Sequence, residues 1–330
     1  MTWMVTGGAG YIGAHVVRAL INADMAAVIV DDLSSGLKRF VPDGVPFVQA
    51  DILDKDALVQ AMTAHGITGV IHVAGFKYAG VSVQRPLHTY TQNVTGTVSL
   101  LEAMHDCGID QIVFSSSAAV FGTPHVDQVT ETTAKEPLSP YGESKLIGEW
   151  LLRDQAHAVG LRHTSLRYFN VVGCGDPTIY DTSPHNLFPR VFEALVAGVV
   201  PTINGNDYPT PDGTNVRDYV HVADIAAAHV AAAKRLESKN TIEPAYNLGS
   251  GDGLSVSEIM RAVAKVTGIP FSPQIAERRV GDPPRIVANG DLAARDLDWK
   301  MRHTAEEMVR SAWEARLRAE NNRHDNGSAE

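Results

Sequence analysis

Short, largely apolar runs punctuate the first half of the chain at Trp3–Thr6, Ala27–Val30, Phe47–Gln49, Gly69–Val73 and Gln111–Ser115, and the more polar His163–Tyr168 joins them as a candidate strand. None shows the polar alternation of a half-exposed strand, so each reads as a strand buried on both faces. Helical periodicity fills the intervals at Ile12–Ala23, Lys55–His65, Val83–Cys107 and Ser139–Ala158. Strand and helix alternating in this way predict α/β architecture, a doubly wound parallel sheet of the Rossmann-like kind.

Beyond about Val171 the texture changes. Gly, Pro, Asn and Asp crowd Gly173–Pro184 and Asn204–Gly213, and helical patterns return at Phe188–Ala197, Ala223–Leu236, Ser255–Thr267 and Thr304–Arg318. The expected organisation is a Rossmann-like domain over 1–170, to which later segments can return. A smaller C-terminal α/β lobe over 171–318 and a frayed polar tail over 319–330 complete it.

Composition narrows the partners. With 330 residues, 44% hydrophobic and 20% charged, the chain has the make-up of a globular protein. A net charge of −10, with no dense block of Lys and Arg, argues against nucleic acid. No apolar run approaches the roughly 18 residues that a membrane helix needs. The start lacks a basic region followed by an apolar stretch, so no signal peptide is expected. Two cysteines, Cys107 and Cys174, are too few for a disulfide framework and suit reduced thiols in a cytoplasmic protein. No metal site is expected.

The first strand runs into Gly7-Gly-Ala-Gly10-Tyr11-Ile12-Gly13, which opens the first helix. Glycines there let the backbone turn tightly and approach a pyrophosphate, which the helix N-terminus then favours through its amides and dipole. Taken alone, the turn is no more than a tight connection. Asp31 changes that: it ends the second strand 18 residues beyond Gly13, where a carboxylate accepts the adenosine ribose hydroxyls and repels a 2′-phosphate. NAD is therefore the expected dinucleotide. Asp32 fits equally well as a cap for the next segment.

Tyr141 and Lys145 stand four apart in Tyr-Gly-Glu-Ser-Lys, on one face of a helix. An ammonium beside a phenol stabilises the phenolate and is expected to pull its pKa toward neutrality, giving a group that takes a proton from an alcohol or returns it. The pair also occurs by chance on surface helices. The order along the chain supplies context. Ser117 follows the fifth strand, whose C-terminal end faces the ligand crevice, and Tyr141 comes 24 residues later.

These motifs together resemble the extended short-chain dehydrogenase/reductase superfamily and, within it, the UDP-glucose 4-epimerase family, nearly end to end. The resemblance rests on Val-Thr-Gly-Gly-Ala-Gly-Tyr-Ile-Gly (5–13), Val-Ile-His-Val-Ala-Gly-Phe-Lys (70–77), Ser-Pro-Tyr-Gly-Glu-Ser-Lys (139–145) and Leu-Arg-Tyr-Phe-Asn (166–170). Its most specific stretch is Gly-Asn-Asp-Tyr-Pro-Thr-Pro-Asp-Gly-Thr-Asn-Val-Arg-Asp-Tyr-Val-His-Val (205–222). It implies a tightly held NAD, reduced and reoxidised within one turnover. Tyr141 would take the sugar 4-OH proton with Ser117 bridging or sharing the role, and Lys145 would bind the nicotinamide ribose and lower the tyrosine pKa, helped by the positive nicotinamide ring. Hydride would leave C4, and the 4-keto sugar would turn about its diphosphate and take it back on the other face.

For the cofactor the resemblance implies Gly7, Gly10, Tyr11, Ile12 and Gly13 in the turn, and Asp31, Asp32, Leu33, Ser34, Ser35 and Gly36 after the second strand. Asp51 and Ile52 would lie near the adenine, Val73, Ala74, Gly75 and Lys77 by the fourth strand, and Asn93, Ser115, Tyr168 and Phe169 nearer the nicotinamide. For the UDP-sugar it implies Lys77, Asn170, Asn186, Leu187, the strand Thr202–Ile203–Asn204, Arg217, Tyr219, and Arg279 to Asp282, with Arg217 and Arg279 as diphosphate clamps. Relatives are usually homodimers through Val83–Cys107 and Ser139–Ala158.

Departures from the family pattern are few. Gln92 stands where Asn is common, Phe121 replaces a common Tyr, and Val171 a common Pro. Ile286, beside Arg285, occupies the position near the sugar C2 substituent, which leaves N-acetylhexosamine, pentose and uronate nucleotides open. A nucleotide-sugar 4,6-dehydratase or decarboxylase would need an acid just after the catalytic serine, where Ala118 and Ala119 stand. A non-catalytic NAD sensor would not need Tyr141, Lys145 and Ser117 together.

Overall fold

The computed structural model describes residues 1–279 and 282–327, with side chains through Asn321 apart from the undescribed pair. The chain runs β1 (Thr2–Thr6), α1 (Tyr11–Asn22), β2 (Ala26–Asp31), β3 (Phe47–Gln49), α2 (Lys55–Ala64), β4 (Gly69–His72), α3 (Ala79–Gln84), α4 (Pro86–Tyr90), α5 (Gly96–Asp106), β5 (Gln111–Ser117), α6 (Pro140–Val159) and β6 (Arg162–Tyr168). It continues through β7 (Asn170–Val172), α7 (Leu187–Val196), β8 (Thr202–Asn204), β9 (Val216–Arg217), β10 (Tyr219–His221), α8 (Val222–Glu237) and β11 (Ala245–Leu248). Last come β12 (Leu254–Ser255), α9 (Val256–Thr267), β13 (Gln274–Ala276), β14 (Arg285–Ile286), α10 (Asp291–Leu297) and α11 (Ala305–Gly327).

Seven parallel strands form the main sheet in the order β11-β6-β5-β4-β1-β2-β3. The six expected strands are all present, within two residues at either end. The doubly wound arrangement is thus as the apolar runs imply. Two packed cores explain why those runs show no alternation. Trp3, Val5, Ile29 and Ile71 face α1 and α8, while Met4, Val28, Val70 and Ile112 face α2 and α5. Strand order reverses at β1, where the chain steps outward to β2 on one side and β4 on the other; the crevice beyond those strand ends is where such sheets bind ligands.

The seventh strand escaped the sequence reading. Ala245–Leu248 is four residues long and fully buried, flanked by Pro244 and Gly249, and returns to the sheet beside β6. The second half otherwise builds small paired strands, β10 with β7, β13 with β8, and β12-β9-β14, around a core of Phe188, Phe192, Tyr219, Ile259 and Val309.

Two expectations need correction. The single helix over Val83–Cys107 is interrupted: α3 ends before Arg85, Pro86 opens α4, and a wider π turn occupies Thr91–Thr95 ahead of α5. Pro86 has no amide to continue a helix and disfavours helical backbone at Arg85. The π turn carries Asn93, and such turns concentrate at functional places. The expected frayed tail is also mostly helical. α11 continues to Gly327 after Ala315 and Ala319 pack on Tyr11 and Phe40, while residues 328–330 lie outside the described part.

α6 approaches β5 unusually closely, and two glycines allow it. A Cβ on Gly148 would sit 2.6 Å from Phe114 Cζ, and one on Gly142 would sit 2.5 Å from the Ala119 carbonyl oxygen. The helix is entered through Ser139, whose Oγ accepts the Gly142 amide, and Pro140; it ends at Gly160 in left-handed conformation. Among the described residues no helix is long and apolar enough to cross a membrane. Cys107 and Cys174 are free thiols.

Buried histidines stitch the layers. His72 sits between Thr6 and Thr97, His229 reaches Ser115 from α8, His15 Nε2 accepts the Gly175 amide, and His221 Nδ1 accepts the Ala223 amide. Burial pushes all four down, to about 4 for His15, His221 and His229 and about 3 for His72. A group depressed in the folded state binds more protons when unfolded, so stability is full above the ordinary value near 6.5 and is lost as pH falls toward the folded values. Calorimetry should show Tm falling by on the order of 5–10 °C between pH 7 and pH 5. A flat Tm over that window would mean these rings are not held neutral.

Candidate active site

The ends of β1, β2 and β4 and the first turn of α1 form one end of a single elongated cavity of about 910 Å³. The turn is compressed: a Cβ on Gly13 would lie 2.1 Å from the Gly7 carbonyl oxygen, and Gly7 has φ of +70° with Ala74 N only 2.7 Å from such a Cβ. Helix start, second strand and fourth strand therefore meet at van der Waals limits. Tyr11 adds a long-range tie, its hydroxyl donating to the Gly173 carbonyl at 2.5 Å.

Asp31 is buried at the tip of β2. Its Oδ2 accepts the Ala9 amide at 2.9 Å and its Oδ1 the Leu33 amide at 2.8 Å. Burial raises its pKa, and those two amides oppose the rise. The carboxylate is held at the cavity wall with lone pairs to spare, the arrangement a ribose diol requires. Asp32 accepts the Ser34 amide and hydroxyl in a local turn at the cavity wall and caps no helix, the next helical turn beginning only at Lys38. Ser34, Ser35 and Ile52 complete this end.

Tyr141, Lys145, Ser117, Tyr168 and Phe169 line the middle of the same cavity. Ser117 ends β5 opposite Tyr168 in register. Its Oγ accepts the Ala119 amide at 3.1 Å, so its own hydrogen is free to go to the Tyr141 oxygen. Lys145 is buried and donates from Nζ to the Ser115 carbonyl at 2.9 Å.

Here the electrostatics differ from the sequence reading. Burial raises the Tyr141 pKa, Ser117 is what opposes the rise, and Lys145 is not among the causes. Burial also lowers Lys145 to about 8. The polypeptide by itself therefore does not acidify the phenol: desolvation penalises phenolate and ammonium alike. A nicotinamide ring bound beside Tyr141 would bring a positive charge that favours the phenolate. The cradle fits such a group, with glycines where a Cβ would collide and an acid where a ribose would lie.

The far end of the cavity takes Asn170, Asn186, Leu187, Thr202, Ile203, Asn204, Arg217, Tyr219, Arg279 and Asp282. Val280 and Gly281, between the last two, lie outside the described residues. Arg217 forks onto Asp282 and the Val216 carbonyl. With its amide oriented to present the oxygen, Asn204 accepts from Arg279 Nε and Nη2 at 3.2 Å. Two guanidinium groups are thus held at one end of the cavity, suitable for phosphate oxygens. Lys77 lines the cavity with its Nζ 4.0 Å from Asp181, which also accepts from Asn186 at 2.6 Å.

Five expected residues stand behind the wall. Asn93 holds both the amide and the carbonyl of Phe76 and reaches Ser144 on α6. Ser115 is buried against His229. Asp51 accepts the Leu53 amide. Leu33 and Gly36 wrap Asp31, a Cβ on Gly36 meeting its carboxylate at 2.7 Å. Ile286 also lies back, packed with Ala118, Phe121, Leu146 and Phe169, and Arg285 donates outward to the Asp127 carbonyl. Tyr78, Tyr180, Asp181, His185 and Arg316 line the cavity without having been anticipated. Irregular segments carry the first four, and Arg316 reaches in from the middle of α11, whose periodicity does not show which of its residues meet the cavity.

A Rossmann-type sheet, a pyrophosphate turn, a ribose acid and a Tyr/Lys/Ser set in one cavity define a nicotinamide-dependent enzyme acting on a carbinol. Residues 3–249 match the NAD dependent epimerase/dehydratase family, and the chain belongs to that family. It is 42% identical over 324 residues to the UDP-glucose 4-epimerase of Azospirillum brasilense, covering 95% of this chain and 92% of that one. The solved UDP-glucose 4-epimerase of Brucella ovis in complex with NAD superposes with a TM-score of 0.91 at 39% identity, covering 94% and 97% of the two chains. That of Stenotrophomonas maltophila, with bound NAD and formylated UDP-arabinopyranose, gives 0.92 at 38% identity over 97% and 99%.

Proposed function

We propose that this chain inverts C4 of a UDP-hexose, interconverting UDP-galactose and UDP-glucose on a tightly held NAD. One observation carries the reading: the ribose acid, the Tyr141/Lys145/Ser117 set and the paired arginines lie along a single cavity. Relatives named for that reaction match nearly the whole chain.

When bound, NAD supplies a reversible hydride acceptor and a positive ring charge that favours the Tyr141 phenolate. Tyr141 then takes the proton of the sugar 4-hydroxyl, and Ser117, capped by the Ala119 amide, keeps its own hydrogen pointed at the phenol oxygen. Lys145 is fixed by the Ser115 carbonyl beside β5, placed to bond the ribose hydroxyls. The uridine diphosphate end is gripped by residues 171–318, through the start of α7, strand β8, and Arg217 and Arg279. The 4-keto sugar turns about its diphosphate link, so the same phenol returns the proton after the opposite face has been presented. Ala118 and Ala119 offer no second acid, which disfavours dehydration.

A second substrate, a UDP-N-acetylhexosamine, is favoured by Ile286, which is withdrawn among Ala118, Phe121 and Leu146 rather than projecting at the sugar. Specific activities on UDP-galactose, UDP-N-acetylgalactosamine and UDP-arabinose rank the candidates.

We place the enzyme in the cytoplasm as a homodimer. Val83 is 62% exposed, Leu87 80% and Trp150 46%, on α3, α4 and α6, which pack against one another. Light scattering should read the mass of two chains, and Leu87→Glu should reduce it to one; a monomeric parent would remove this assignment.

Purified protein incubated with UDP-galactose and no added NAD should form UDP-glucose. Tyr141→Phe removes only the oxygen that moves the proton, so kcat should fall by roughly 10³-fold while the UDP Kd stays within about threefold. A loss below about tenfold would take Tyr141 out of its role.

A further inference from the structure

Glu149 lies four residues beyond Lys145 and eight beyond Tyr141 on α6, so the three share one helix face. Both its oxygens are engaged. Oε1 accepts from Ser116 Oγ at 2.6 Å and from Arg167 Nε at 2.8 Å, and Oε2 accepts from Arg167 Nη2 at 2.6 Å. The side chains are 10% and 6% exposed. Arg167 Nη1 donates to the Glu131 carbonyl at 3.1 Å, and the guanidinium lies 5.4 Å from the Phe121 ring centroid. Ser116 and Arg167 are register partners in the β5–β6 pair, and the next pair is Ser117 with Tyr168. One carboxylate thus clamps the tips of two strands to the helix, a single residue away from Ser117 and Tyr168. None of the three clamping side chains lines the cavity.

Stability gives little reason for the arrangement. Taking two charges out of water costs several kcal/mol per ion, and apolar replacements of buried pairs are often neutral or better. What a bidentate fork provides is one permitted geometry. We propose that Glu149, Arg167 and Ser116 are positioning residues for proton transfer, fixing the Ser117 hydroxyl against the Tyr141 phenol. The proposal rests on the epimerase reading. It predicts that the cluster is needed for turnover and dispensable for folding and nucleotide binding.

Two variants test it: Arg167→Lys, which keeps the charge without the fork, and the combined Glu149→Met, Arg167→Met, Ser116→Ala, which removes both charges together. Each is assayed for Tm, UDP binding, kcat and KM on UDP-galactose across pH, and tyrosinate formation by ultraviolet titration. The Tyr141 step is assigned from Tyr141→Phe. Misplacement of the reacting groups by about 1 Å should lower kcat by roughly 10–100-fold with KM and UDP Kd within about threefold. The Tyr141 titration and the rising limb of kcat should both move to higher pH, which a merely structural role would not produce.

Either variant, folded with kcat within about threefold of the parent and an unmoved Tyr141 titration, overturns the proposal. So does failure of both to fold, since the cluster would then be serving stability. A parent that turns over no UDP-hexose refutes the epimerase reading instead, and the tyrosinate titration still judges the cluster.

Discussion

The close approach of α6 to β5 is the constraint on which the site depends. Gly142 and Gly148 remove the side chains that would hold the helix off, and Phe114 and the Ala119 carbonyl occupy the space so released. Tyr141 and Lys145 are thereby brought over the end of β5, where Ser117 and the Ser115 carbonyl receive them. The Asn93 side chain, lifted by the π turn before α5, holds the Phe76 backbone and Ser144 together and so closes the same contact from the β4 side. A Cβ at Gly148 would push α6 off Phe114, loosening the Phe114–Leu152 part of the core and separating the phenol from the serine.

Burial sets the chemistry available there. It raises Tyr141, lowers Lys145 to about 8, and keeps His72 and His229 neutral behind them. The pocket is thus one in which the charged forms are costly until a partner of opposite sign arrives. A phenol acidified in the free protein would react without regard to what is bound. A positive ring bound beside the buried phenol would favour its ionised form, which would couple proton transfer to occupancy of the dinucleotide half of the cavity. The arginines at the other end do the complementary job: Arg217 is already engaged by Asp282 and Arg279 by Asn204, so both guanidinium groups are oriented before an anion enters.

Much of this was legible in the residues. Most of the buried parallel strands stand out as apolar runs, although β6 carries Thr, Ser and Arg, while β11 lacks such a signal because four residues between Pro244 and Gly249 carry no period of their own. The glycine turn, Asp31, Ser117, Tyr141 and Lys145 were found because each sits at a fixed offset from a strand end. Tyr78, Tyr180, His185 and Arg316 were not, because loops and the last helix bring them in through tertiary packing alone. Spacing on a helix shows that Lys145 is near Tyr141, and says nothing of the burial that raises the phenol and lowers the ammonium in the chain alone. The helix expected over Val83–Cys107 failed at Pro86, a breaker visible in the sequence and outweighed by the surrounding periodicity.

The account stands or falls on where the Tyr141 oxygen lies when both halves of the cavity are filled. A crystal structure of the protein with NAD and UDP-glucose measures it directly. That oxygen should be within hydrogen-bond reach, about 2.6–3.2 Å, of the sugar 4-oxygen, with the nicotinamide ring against the same sugar carbon. A phenol turned into solvent, or a sugar ring seated away from Ser117, would contradict it.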